Sequence, residues 1–237
     1  MLLKLPKVYS QKDSRWAYKI LGFNKNLRYN IYNYGCLITC LSMIACYFGH
    51  NTNPGTMNKF LKDVTGFSNG GFYNWGYISR IFKDIKERWV GTPDPLTDAQ
   101  INEIKEALDN GFPVMVQLDS NPRTVKTDMH YGLLIGYDPL DENNFTMIDP
   151  IDGKIVSTKR YLGWWRPNIR RSIEQFIIYE GKVLTDAVLL EEKIAEMAEI
   201  ITSFRKDHEK KLSEARKKCQ NRLLEVKKAL EKIMKTL

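Results

Sequence analysis

Cys36 follows a glycine and opens a run, 36–48, that is apolar almost throughout and closes at Gly49. A thiol attacks only as the thiolate, and the positive end of a helix lowers a cysteine pKa from about 8.5 by one to several units, more with an imidazolium beside it. Cys36 stands where such a helix would begin. The chemistry that suits it is attack on a carbonyl carbon. Three further groups are then needed: an imidazole to take the proton, a group to hold that imidazole in one tautomer, and a donor for the developing oxyanion.

Candidates for all three occur in suitable order. His130 precedes the apolar stretch 131–137, so its ring can project from the start of a strand toward a helix N-terminus packed on the sheet. Asp149 ends the next such stretch, 144–149, within reach of that ring if the two strands pair antiparallel. Asp149-Pro150 and Asp152-Gly153 equally favour a turn. Gln11 lies in a polar and aromatic segment ending at Trp16, where a neutral amide can donate to an oxyanion or the whole segment can serve as a surface loop. His50 is a rival imidazole, but it sits beyond the far end of the first helix and reads as structural. Cys40, Cys46 and Cys219 read as small buried hydrophobes, the usual fate of a free cysteine.

The elements that must position these groups follow from periodicity and punctuation. A buried helix is predicted over 36–48, a shorter one over 56–64 and a third over 77–86. Thr97 with Gln100 three residues on predicts a capped helix that stops at Asn110-Gly111. Five strands follow, at 112–118, 131–137, 144–149, 154–157 and 175–179. Helices first and an antiparallel sheet second make an α+β arrangement.

Composition changes at Gly181: after it, through Leu237, no Gly, Pro or Trp occurs and charges fill a helical pattern. The chain is therefore divided into a globular domain, 1–181, and a helical extension, 182–237. Leu190, Ile194, Met197, Ile201, Phe204, His208, Leu212, Ala215, Cys219, Leu223, Val226, Leu230, Ile233 and Leu237 recur at steps of three and four. Four-four steps around His208 and Cys219 resemble stutters in a coiled-coil seam. The extension is expected as one long helix or a hairpin, and so narrow a stripe is expected to be covered by self-association through 182–237 or, next, by docking along the globular domain.

With 43% hydrophobic residues among 237, a core can form without disulfides, and four cysteines in this pattern are neither a disulfide framework nor a zinc site. No metal or cofactor is expected. The N-terminus is too quickly interrupted by charge for a secretory segment, and no later run approaches the roughly 18 apolar residues of a membrane span. A soluble product made in the cytoplasm is expected, with release to a cell wall or into a virion needing another route. A formal charge of +8 favours anionic partners. Without a zinc knuckle, helix-turn-helix signature or dense basic and aromatic patch, nucleic acid is not among those expected.

Several pieces in one order carry a resemblance: Tyr9-x-Gln11-x-Asp13-x-x-Trp16, Leu21-Gly22, Gly35-Cys36-x-x-Thr39 with Met43 and Gly49, Gly111-x-Pro113-Val114, His130-Tyr131 leading to Gly136-Tyr137, and Ile148-Asp149-Pro150 with Gly153. Over about residues 6–180 the chain resembles the papain-like cysteine peptidases related to the bacteriocin-leader, or double-glycine, peptidases. The resemblance implies a papain-like fold with Cys36 as nucleophile, His130 as general base, Asp149 as its orienting group and Gln11 as oxyanion donor, with Trp16 and Gly35 shaping the site. In two places the pattern departs: Tyr131-Gly132 stands where the group often has Trp-Val, and leader-processing members carry their glutamine nearer the cysteine.

The function expected on these grounds is amide hydrolysis by a Cys-His-Asp triad. Peptide cross-links of peptidoglycan, cut by a phage or bacterial lysin, are one expected substrate; intracellular protein processing is another. A non-catalytic, virion-associated binding protein that assembles through its helix is the alternative from a different class. Tyr73, Trp75, Trp164 and Trp165 are candidates for a substrate groove, or for packing.

Overall fold

A computed structural model of the chain describes residues 2–68, 70–91, 95–124, 128–183 and 186–234. Contacts divide it into two compact units, Met1–Leu184 and Thr185–Leu237. In the first, a single turn α1 (Ile31–Tyr34) runs into α2 (Cys36–Tyr47), followed by α3 (Pro54–Asp63) and another single turn, α4 (Ile78–Ile81). Then come β1 (Lys86–Gly91), α5 (Asp98–Asp109), β2 (Val114–Asp119), β3 (Met129–Asp138), β4 (Asp141–Asp149) and β5 (Lys154–Ser157). A 3-10 turn (Thr158–Tyr161), the short α6 (Ile169–Ser172) and β6 (Ile173–Glu180) complete the unit.

Residues Ile38 to Tyr47 of α2 are all buried, which explains why this helix is apolar all round rather than on one stripe. Its end is a Schellman motif: Gly49 takes φ +94°, Gly49 N–H donates to the Cys46 carbonyl and His50 N–H to the Ala45 carbonyl. α5 begins with the reciprocal Thr97 and Gln100 cap. α3 starts earlier than 56 because Asn53 caps the Thr56 N–H and Pro54 fits the first helical position.

The helix expected over 77–86 is a single turn, and the residues from Lys86 onward form β1 instead. The sheet runs β1-β6-β2-β3-β4-β5, antiparallel at every pairing, which puts β1 at its edge. There Arg88 reaches Glu180 at 3.2 Å and Trp89 Nε1 donates to Gln175 at 3.1 Å. Charges that tolerate an edge hid the strand from any alternation of apolar and polar residues. α2 packs on β3, and α5 on β2 and β3, enclosing the core. The register Leu118 to His130 and Leu133 to Ile148 brings the beginning of β3 and the end of β4 to the same end of the sheet.

The second unit is one continuous helix, α7 (Asp186–Met234), with no fold-back. No described helix is long and apolar enough to cross a membrane.

Candidate active site

Cys36 is the first residue of α2, and Gly35 at the cap position has no side chain to answer the first-turn N–H groups. The helix therefore presents its first-turn N–H groups and its positive end to the thiol. Burial pushes the Cys36 thiol up, but a hydrogen bond from His130, the charge of that ring and the backbone N–H groups of Tyr131 and Leu37 bring it below its ordinary value.

His130, on β3, is almost wholly buried. Its Nε2 meets Asp149 Oδ1 at 3.1 Å, leaving Nδ1 as the ring nitrogen for Cys36. Burial works against a charged ring here, yet the hydrogen bonds to Asp149 and Cys36 raise its pKa from 6.5 to about 9. Asp149, at the end of β4, has no exposed surface. Burial would raise its pKa, but His130, the Tyr161 hydroxyl and the Ile151 N–H together hold it at about 2.

Two further groups that hold this carboxylate carry no motif in the sequence. Tyr161 donates its hydroxyl to Asp149 Oδ2 at 2.5 Å, and Arg160 Nη1 lies 3.1 Å from the same oxygen. The Tyr161 ring also stacks beside His130, centroids 5.4 Å apart. Both residues belong to the 3-10 turn after β5, where Ser157 caps the backbone. No local pattern marks that turn as returning beneath β4.

Gln11 is buried on the N-terminal loop. Its backbone N–H donates to the Pro150 carbonyl at 2.7 Å, just past Asp149, and its Nε2 donates to the Tyr32 carbonyl of α1 at 2.7 Å. The loop is thereby tied to both elements that flank the thiol and the carboxylate. Nε2 has a second N–H beyond the one given to Tyr32. Trp16 is buried against this loop, its Nε1 donating to the Ser10 carbonyl at 2.8 Å and its ring edge-on to Tyr9 at 5.5 Å.

The remaining candidates fall elsewhere. His50 meets Asp84 at 2.9 Å and stacks on Phe82, at the far end of α2. Cys40 and Cys46 are buried, with thiols on the Tyr131 and Thr52 carbonyls, whereas Cys219 on α7 is exposed. Tyr73 and Trp75 line a cavity together with Cys36; Trp164 and Trp165, 85% and 46% exposed, are not part of its wall. Among the described residues no three His, Cys, Asp or Glu side chains cluster as a metal site requires. Gly132, where the resembling group often has Val, faces Met147: a Cβ there would collide with its sulfur.

A thiol of lowered pKa, a ring of raised pKa and an ionised carboxylate in one hydrogen-bonded line is an arrangement suited to an imidazolium–thiolate pair. The model of the Peptidase_C39 like family matches residues 7–170. Among solved structures, the chain is similar to a C39-like peptidase from Bacillus anthracis at 14% identity, over 63% of this chain and 90% of that one, with a TM-score of 0.41. The comparison with curated proteins finds no match.

Proposed function

The chain belongs to the Peptidase_C39 like family, and from that premise we propose that it hydrolyses amide bonds through Cys36, His130 and Asp149. A cysteine peptidase is the general activity of the family; the triad and the substrate are the proposal. What carries it is the continuous line from the Cys36 thiol through His130 to the buried Asp149 carboxylate at the start of α2.

In this mechanism Cys36 gives its proton to His130 Nδ1 and the thiolate attacks the substrate carbonyl carbon. The Cys36 backbone N–H and the second N–H of Gln11 Nε2 hold the oxyanion. Imidazolium then gives its proton to the departing amine as the C–N bond breaks, leaving an acyl thioester. Water, deprotonated by His130, attacks the thioester and releases the acid and the thiol. Asp149 stays ionised throughout and keeps the ring in the tautomer that directs Nδ1 at sulfur.

Two substrate classes follow. The charge of +8 supports an anionic envelope and its peptide cross-links. The apolar cavity beside Cys36 supports protein substrates instead. Wild-type protein and Cys36→Ala are to be incubated with purified peptidoglycan and with a diverse peptide library, products being read by mass spectrometry. New termini are expected from wild type alone. Equal cleavage by a folded Cys36→Ala protein would sink the proposal.

For the second unit the proposal is pairing of α7 with a second copy. It is supported by the apolar residues Ile194, Met197, Ile201, Phe204, Leu212 and Leu223, all exposed along that helix.

A further inference from the structure

A cavity of about 220 Å³ opens beside Cys36, and its wall is made largely of aromatic rings: Tyr29, Phe67, Phe72, Tyr73, Trp75 and Tyr131. No charged side chain lines it among the described residues. Two of the tyrosines have their polar ends tied elsewhere. Tyr73 Oη donates to Glu87 at 2.8 Å and accepts the Ile78 N–H at 3.0 Å, while Tyr131 Oη donates to Gln117 at 2.9 Å. What these residues leave to the cavity is ring surface.

The wall is also fixed. Phe67 and Tyr73 form an antiparallel bridge, and Ser68 N–H donates to the Phe72 carbonyl at 2.8 Å. Gly71, at φ +84°, lets this segment press against Tyr29: a Cβ there would lie 2.6 Å from the ring. Tyr73 meets Trp75 edge-on at 5.2 Å, and Trp75 lies 6.2 Å from Tyr131, the residue next to His130. Such ring pairs hold one geometry, so the space exists before any ligand enters.

An apolar cavity of about 150 Å³ holds a benzene ring. A space of 220 Å³ therefore takes a phenylalanine, leucine or methionine side chain and is left unfilled by glycine or alanine. A carboxylate or ammonium group would lose its water there and gain no counter-ion. Resting on the cysteine-peptidase reading above, we propose that this cavity selects peptide substrates by a bulky uncharged apolar side chain close to the scissile amide. That substrate class is found in proteins. Cross-links of cell-wall peptide, built from small and charged residues, do not supply it.

The full-length protein is to be treated with peptidyl acyloxymethyl ketones carrying Phe, Leu, Gly or Asp next to the electrophile, and a second set with the variable residue one position further. In each reaction the Cys36 thiolate displaces the carboxylate and forms a thioether, which peptide mapping locates and intact mass times. In one of the two sets the Phe and Leu probes are expected to react at least about tenfold faster than the Gly and Asp probes, the scale at which an apolar pocket discriminates. Trp75→Ala should lower the Phe-to-Gly rate ratio. Comparable rates for all four side chains in both sets, or a ratio unmoved by Trp75→Ala, would overturn the pocket while leaving the nucleophile intact. If no probe marks Cys36 while iodoacetamide modifies it no faster than Cys219, the peptidase reading itself fails, and the pocket's role with it.

Discussion

Asp149 carries its negative charge with no exposed surface because an imidazole, a phenol and the Ile151 N–H hydrogen-bond to it, with the Arg160 guanidinium 3.1 Å from Oδ2. That charge sets the pH at which His130 gives up its proton. Because His130 titrates at about 9, activity should fall as pH rises through that value, where the ring can no longer protonate the leaving amine. Asp149 is the first of the two partners that raise the ring's pKa, so Asp149→Asn should move the alkaline limb of kcat/KM from about 9 to lower pH. It should also cut the rate on the order of 10²- to 10⁴-fold. An unmoved limb would refute the orienting role. Tyr161→Phe tests the same carboxylate by stability. A depressed acid contributes above its unfolded pKa, near 3.8, and loses that contribution as pH falls through about 2. The variant should therefore be less stable by about 1.5–3 kcal/mol at pH 7, the range for a hydrogen bond to a charged group. The difference should narrow below pH 4. Urea unfolding followed by tryptophan fluorescence reports on the first unit alone, since all five tryptophans precede Gly181.

At the scale of elements, the thiol depends on how closely α1 approaches α2. Gly35 N–H donates to the Ile31 carbonyl at 2.8 Å, and a Cβ at Gly35 would press on that same carbonyl oxygen and lie 2.8 Å from Ile31 Cα. Its φ is −87°, so the constraint is space rather than backbone conformation. Gly35→Ala should push the two helices apart, destabilising the unit by about 1–3 kcal/mol as overpacking does. It should also slow iodoacetamide labelling of Cys36 by displacing the thiol from His130; unchanged labelling and unfolding would show that the junction tolerates a methyl group. Elements differ in how far they could be read from sequence. α2 was legible because an apolar run bounded by glycines has few other homes, and α5 because its cap is a four-residue pattern. β1 was not, because its identity as a strand comes from β6, distant in sequence, rather than from Lys86 to Trp89 themselves.

Across the whole molecule, one unit holds the candidate site and the other is a helix on which Ile194, Met197, Ile201, Phe204, Leu212 and Leu223 are exposed. Ile201 and Phe204 are 49% and 75% exposed on that helix, and pairing with a second copy would cover them. Sedimentation of the full chain is expected to show self-association that Ile201→Glu with Phe204→Glu abolishes; a monomer at all concentrations in both proteins would end that reading. The sequence carries the order of the proposed triad, Cys36 at a helix start, then His130, then Asp149, because few residue types suit a nucleophile, a base and an orienting anion and each calls for a particular kind of element end. It also determined the change of character at Gly181, because composition is a local property. The tertiary structure alone decided how Asp149 stays ionised and what lies beside Cys36. Tyr161 and Arg160 reach the carboxylate only through the turn after β5, and the cavity draws its rings from 29 to 131, segments that no spacing rule connects. Contacts between segments so far apart depend on the packing of the whole sheet against α2, and packing leaves no local signature in a chain.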